Sequence, residues 1–219
     1  MFRFSFDEIA DIILSFFVIS IAFSMLYTRA DMNQTINILP IVMVGAGLGF
    51  IFHELAHKFA ALHYNYQAEF KKWIPGLILS LVSPMIGFMF AAPGAVYIYG
   101  NYISDRINGI ISIVGPITNI LLSIIFLISG AYILTDPTLL NFGGNGLLIN
   151  MCILGFSVNA WLALFNLIPF AILDGVKVFR WDPIIWFITT AIAGGLVYIS
   201  MTSLKEILMF IAKLITGGS

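Results

Sequence analysis

His53-Glu54-Leu55-Ala56-His57 sets two imidazoles four residues apart, with a carboxylate beside the first. On a helix, residues at i and i+4 share a face, so both rings can reach one zinc ion while Glu54 stands next to the metal without binding it. Zinc-bound water ionises near neutrality, and a neighbouring carboxylate can take its proton and pass it to a leaving amine. The chemistry carried by this spacing is peptide-bond hydrolysis. A catalytic zinc takes three protein ligands plus water, so one ligand must come from elsewhere in the chain.

Two residues compete for that place. His63 completes an H-E-x-x-H-x-x-x-x-x-H spacing, which works when the helix breaks at a glycine three residues after the second histidine, and Ala60 stands there instead. On an unbroken helix His63 lies about 240° around and about 9 Å along from His57, out of reach of the same ion. It then reads as a histidine where the helix leaves the membrane. Asp174, in Asn166-Leu167-Ile168-Pro169-Phe170-Ala171-Ile172-Leu173-Asp174-Gly175, offers a carboxylate oxygen suited to zinc. Taken alone it reads as an aspartate at the membrane surface beside a helix-capping glycine, and its pairing with the histidine motif brings it forward as a ligand.

The residues around these groups are overwhelmingly apolar. Of 219 residues, 60% are hydrophobic and 10% charged, against about a quarter charged in soluble domains, which marks an integral membrane protein. A net charge of -1, with Lys and Arg scattered, leaves no footprint for nucleic acid. The single cysteine, Cys152, excludes an internal disulfide. Near mid-bilayer a charged side chain costs about 2.5 to 3.5 kcal/mol, so a glutamate inside an apolar run reads as functional.

A bilayer core of about 30 Å needs roughly 20 apolar residues as helix. Residues 9–27, 38–62, 107–134, 147–171 and 184–203 meet that requirement, and residues 204–215 read as an interfacial helix or an extension of the last span. Asp7, Glu8 and Asp11 precede the first run in place of the basic start of a secretory signal, so that run is expected to be retained. The apolar stretch 74–92 is broken by Pro75, Pro84 and Gly87. After it, β-forming residues 95–99 and 102–104 flank Gly100-Asn101, which predicts a short hairpin with a two-residue turn.

Together these residues resemble the site-2 protease family of intramembrane zinc metalloproteases, whose members carry H-E-x-x-H in one span and N-x-x-P-x-x-x-L-D-G in a later one. Gly115-Pro116-Ile117-Thr118-Asn119 is similar to the family's G-P-x-x-N element, and Pro93-Gly94-Ala95-Val96 resembles its membrane-associated β segment. The likeness covers residues 49–175. It implies His53, His57 and Asp174 as ligands of one zinc per chain, Glu54 as general base, and cleavage of a substrate's transmembrane segment. It also implies Asn166 and Asn119 as hydrogen-bonding partners of substrate or the developing oxyanion, with ordinary interhelical hydrogen bonding as the alternative for both. No regulatory PDZ or paired CBS domain is seen in the sequence.

One zinc shared by His57 and Asp174 requires an even number of crossings between them. Residues 107–134 and 147–171 supply two, so 74–92 must enter and return. Arg3, Lys71, Lys72, Arg106, Lys177 and Arg180 then share one face against Arg29, Lys205 and Lys213, which puts the N-terminus and the zinc-proximal ends on the cytoplasmic side. The expected fold is an all-α polytopic membrane protein. It has about five to six transmembrane helices, a small membrane-associated β-hairpin and a re-entrant segment, in a single domain over residues 1–219 with its core at 38–175.

The expected activity is zinc-dependent hydrolysis of peptide bonds in or near transmembrane segments of membrane-protein substrates. The cell membrane is the expected location, with the site nearer the cytoplasmic face and the bilayer as a partner. An extended substrate segment is expected to add as a strand along Val96, Tyr97 and Ile98. A membrane transporter and a catalytically idle zinc-binding scaffold are the rival readings. The missing inverted repeat argues against the first, and the presence of Glu54 argues against the second.

Overall fold

The computed structural model describes residues 4–100, 102–144 and 146–217, so Arg3 of the charge count and Asn101 of the predicted turn lie outside the described residues. Helix α1 (Phe6–Thr28) starts at Ser5, whose hydroxyl accepts the Glu8 N–H. Helix α2 (Met32–Val42), a π-helical turn (Met43–Gly47) and α3 (Leu48–His63) run on as one helix of 32 residues. Pro40 withdraws an N–H from the ladder, and Gly45 and Gly47 follow it, which together loosen the helix into the wider turn. A β-carbon on Gly45 would lie 2.9 Å from the Gly155 α-carbon, so two backbones meet at this point. Close approach of this kind holds helices together in lipid, where burial of apolar surface supplies little drive.

Strand β1 (Gln67–Lys72) leads into helix α4 (Ile74–Val82) and a 3-10 turn (Ser83–Ile86), and the chain then reverses at Gly87 with φ +77°. It returns through residues 88–93 to strand β2 (Gly94–Tyr99), which pairs antiparallel with β1 from Gln67↔Tyr99 to Lys72↔Gly94. The Trp73 N–H donates to Pro93 O at 2.8 Å, so the excursion begins and ends at one place. Nine residues of α4 reach about 13 Å, well short of a bilayer core.

The structure differs from the predicted hairpin. β2 is a strand, but its partner is β1, and residues 102–104 lead into α5 (Asp105–Thr135), where the Ser104 hydroxyl caps the helix by accepting the Ile107 N–H. The long-range pair wins because α1 and α3 complete β1. Phe70 is buried edge-on against Phe50, with ring centroids 5.7 Å apart. On the outer edge of β1 the Phe70 N–H donates to Glu8 Oε1 and the Lys72 N–H to Asp11 Oδ2, which satisfies the groups a sheet edge leaves open. With Phe70 and Lys72 facing outward, the register makes Val96 and Gly94 outward-facing on β2, as Ile98 must also be.

Helix α5 continues through Gly115-Pro116, and a short α6 (Pro137–Leu140) precedes α7 (Leu147–Asn166). α7 stops five residues before the expected end because Pro169 cannot continue it. Helices α8 (Asp174–Trp181), α9 (Pro183–Thr202) and α10 (Leu204–Ile215) complete the described chain. Among the described residues, five helices are long and apolar enough to cross a membrane: Phe6–Thr28, Met32–His63, Asp105–Thr135, Leu147–Asn166 and Pro183–Thr202. The main core joins α1, α3 and α7 to the sheet through Phe23, Phe50, Phe70, Leu162 and Phe165. Glu8 bonds Lys58 of α3 as well as β1, and a β-carbon on Gly109 of α5 would strike Trp181 of α8. The starts of α1 and α5, the sheet, the later half of α3 and α8 therefore gather at one end of the bundle.

Candidate metal centre

The buried residues of α3 are Gly49, Phe50, His53, Glu54, His57, Lys58 and Ala61, two columns of i, i+4 spacing on one face. His53 and His57 point into the bundle between α3, α5 and α8. Their Nε2 atoms are 3.0 Å apart, and Asp174 Oδ2 lies 3.3 Å from the first and 3.0 Å from the second. All three side chains are buried.

The other nitrogen of each ring reveals what these atoms present to one another. His57 Nδ1 lies 2.7 Å from Ile111 O, and His53 Nδ1 lies 2.6 Å from Asn119 Oδ1. Both partners only accept, so each Nδ1 donates, and in the neutral form of each ring the lone pair lies at Nε2, facing inward. Two lone pairs and a carboxylate oxygen thus converge, an arrangement that repels itself unless a cation sits among them. Ligand atoms about 2.0 to 2.1 Å from a tetrahedral zinc stand about 3.3 Å apart, close to the spacing found. The donor set fits zinc, and among the described residues it is the single His, Cys, Asp and Glu cluster that could hold a metal ion.

Each ligand is held by local sequence. Pro116 has no N–H for the Ser112 carbonyl, which opens α5 at the turn where Ile111 O meets His57. Gly115 lies against both rings. Asp174 opens the first turn of α8, where the helix dipole favours a negative charge. Gly175 does not cap the preceding span; a β-carbon on it would lie 2.1 Å from Leu167 O at the end of α7, so glycine permits α8 to dock there. Lys177 Nζ stands 3.4 Å from Asp174 Oδ1, leaving Oδ2 for the cluster.

Glu54 is buried beside the histidines. Its Oε2 is buried and, among the described residues, has no hydrogen-bond partner. A cavity of about 50 Å³, large enough for a few waters, is lined by Glu54 and the three ligand residues together with Val96, Ile98, Asn119, Asn166 and Lys177. Asn166 is half-buried and donates from Nδ2 to Leu162 O at 3.0 Å. Tyr97 does not line the cavity and is exposed. Asn119, expected at substrate, is engaged with His53. His63 ends an unbroken α3 on the exposed surface, its ring against Tyr64.

The parts played by Ile111, Gly115 and Lys177 are not among the sequence expectations. A carbonyl acceptor leaves no mark in sequence, although Pro116 four residues beyond Ser112 signals freed carbonyls in that turn. From sequence Lys177 reads only as a charge at the membrane face.

No family model and no solved structure matches the chain. Among curated proteins it is 41% identical over 189 residues to a protein of Methanocaldococcus jannaschii named "Putative zinc metalloprotease", a match covering 86% of this chain and 91% of that one. At that identity and coverage, the chain belongs to the zinc metalloprotease family of this relative.

Proposed function

We propose that the chain is an intramembrane zinc metalloprotease of the site-2 type, a single domain that cleaves peptide bonds in or near transmembrane segments of membrane-protein substrates. The observation that carries the reading is the convergence of His53 Nε2, His57 Nε2 and Asp174 Oδ2 beside the buried Glu54 carboxylate, with both histidines and Glu54 on a helix long and apolar enough to span a membrane.

His53, His57 and Asp174 would hold zinc, which supplies a Lewis acid and lowers the pKa of a bound water. Glu54 takes the proton of the attacking water and hands it to the leaving amine. Asn166, on the cavity wall, has an amide within reach of a substrate carbonyl or the oxyanion formed from it. An extended substrate segment pairs with the outward edge of β2 at Gly94, Val96 and Ile98, the edge that faces the cavity while α1 closes the opposite edge. This strand addition unwinds the substrate helix and exposes its carbonyls. The charge distribution supports a site opening to the cytoplasmic face of the cell membrane.

The test is to incubate the purified zinc-loaded protein in detergent with a panel of single-span membrane proteins and to map product termini by mass spectrometry. Cleavage within or beside the apolar segment is expected. Cleavage confined to soluble tails, or zinc-loaded protein that cleaves nothing across the panel, would overturn the reading, the latter in favour of a zinc-binding scaffold.

A further inference from the structure

Behind His53 stand two asparagines, Asn119 on α5 and Asn159 on α7, both fully buried. Asn159 Nδ2 donates to Gly45 O at 3.0 Å and to Gly155 O at 2.8 Å, two carbonyls that can only accept. Its Oδ1 is thereby turned to Asn119, whose Nδ2 donates to it at 2.9 Å and to Gly49 O at 3.1 Å. Both N–H bonds of Asn119 are then used, and Oδ1 is the atom it offers to His53 Nδ1. Reversing either amide would set oxygen against carbonyl oxygen and N–H against N–H. The direction of the whole chain is therefore imposed by the carbonyls of Gly45, Gly49 and Gly155 and delivered at His53.

The backbone is shaped for this contact. Gly45 lies in the π-helical turn, where the loosened ladder gives Asn159 a carbonyl to reach. A β-carbon on Gly49 would lie 2.4 Å from Asn159 Oδ1, so that side chain reaches α3 only across a glycine.

We propose that Asn159 is a positioning residue for the metal centre: acting through Asn119, it fixes His53 with its proton on Nδ1 and its lone pair on Nε2, facing His57 and Asp174. The inference rests on the reading of the cluster as a zinc site. Partners that orient a ligating histidine are worth about 10- to 100-fold in metal affinity. A purely structural interhelical bond would change stability and leave zinc affinity alone.

The experiment is chelator competition for zinc on the full-length chain in detergent, with wild type, Asn159→Leu, Asn119→Leu and the double variant, alongside thermal unfolding of each metal-free protein. Each single substitution is expected to raise the zinc Kd about 10- to 100-fold. Because Asn159 acts through Asn119, the double variant should be no weaker than Asn119→Leu alone. Wild-type affinity in Asn159→Leu, or effects that multiply in the double variant, would overturn the proposal. If Asn159→Leu does not fold, Asn159→Ala removes the same bonds without added bulk and is read in the same way. Wild type that binds no zinc overturns the zinc reading itself and takes the proposal with it, an outcome distinct from zinc-bound variants of unchanged affinity.

Discussion

A β-carbon on Gly115 would lie 2.4 Å from His57 Nε2 and 2.7 Å from His53 Nε2, closer than real β-carbons approach another atom. α5 therefore forms the floor of the metal cluster with bare backbone. Gly115→Ala must push the rings aside, and the expected result is at least a 10-fold weaker hold on zinc, measured by chelator competition, together with an overpacking cost of about 1 to 3 kcal/mol. Unchanged affinity would mean that the rings lie elsewhere.

Lys58, one residue after His57, pairs with Glu8 at 2.5 Å, and both are buried. Glu8 also accepts the Phe70 N–H, so this pair fastens the metal helix to α1 and the sheet. Removing one partner of a buried pair costs about 3 to 5 kcal/mol because the other charge is stranded. Lys58→Met should lower the thermal midpoint in detergent, and Lys58→Met with Glu8→Gln should recover part of the loss.

The two edges of β2 predict a contrast between neighbouring prolines. Ile98 has an outward N–H, so Ile98→Pro removes a donor for an incoming strand while the β1 ladder survives. Tyr97 faces β1, and Tyr97→Pro breaks that ladder. Substrate cleavage should fall in Ile98→Pro with zinc content and thermal midpoint unchanged, whereas Tyr97→Pro should also lower the midpoint. Full activity in Ile98→Pro would remove strand addition from the account.

Zinc bound across α3 and α8 couples occupancy to stability, by about 2.7 kcal/mol when free zinc is 100-fold above Kd. Chelation should lower the thermal midpoint of wild type and leave Asp174→Asn little changed, because that variant has already lost the charged ligand.

The long elements and the metal residues were legible because their signals are local or strongly typed. Apolar runs mark the spans, and His53-Glu54-x-x-His57 encodes its geometry in one helix face. The sheet was legible only in half. Gly100-Asn101 advertised a local hairpin, while Gln67-Ala68-Glu69-Phe70-Lys71 carries a five-residue alternation that reads as a strand once its polar composition is set aside. What makes β1 the partner is supplied by Glu8 and Asp11, some 60 residues away, and no local pattern records that. Asn119 illustrates the same limit: its type announced a hydrogen bond, but only the packing of α5 on α3 and α7 reveals that His53 receives it.

In the proposed mechanism Glu54 is the base at a zinc held by His53, His57 and Asp174. The most direct measurement is the cleavage rate of one transmembrane substrate by wild type and by Glu54→Gln, each loaded to the same zinc content. The rate of Glu54→Gln is expected to be lower by about 10²- to 10⁴-fold. Equal rates at equal zinc would contradict it.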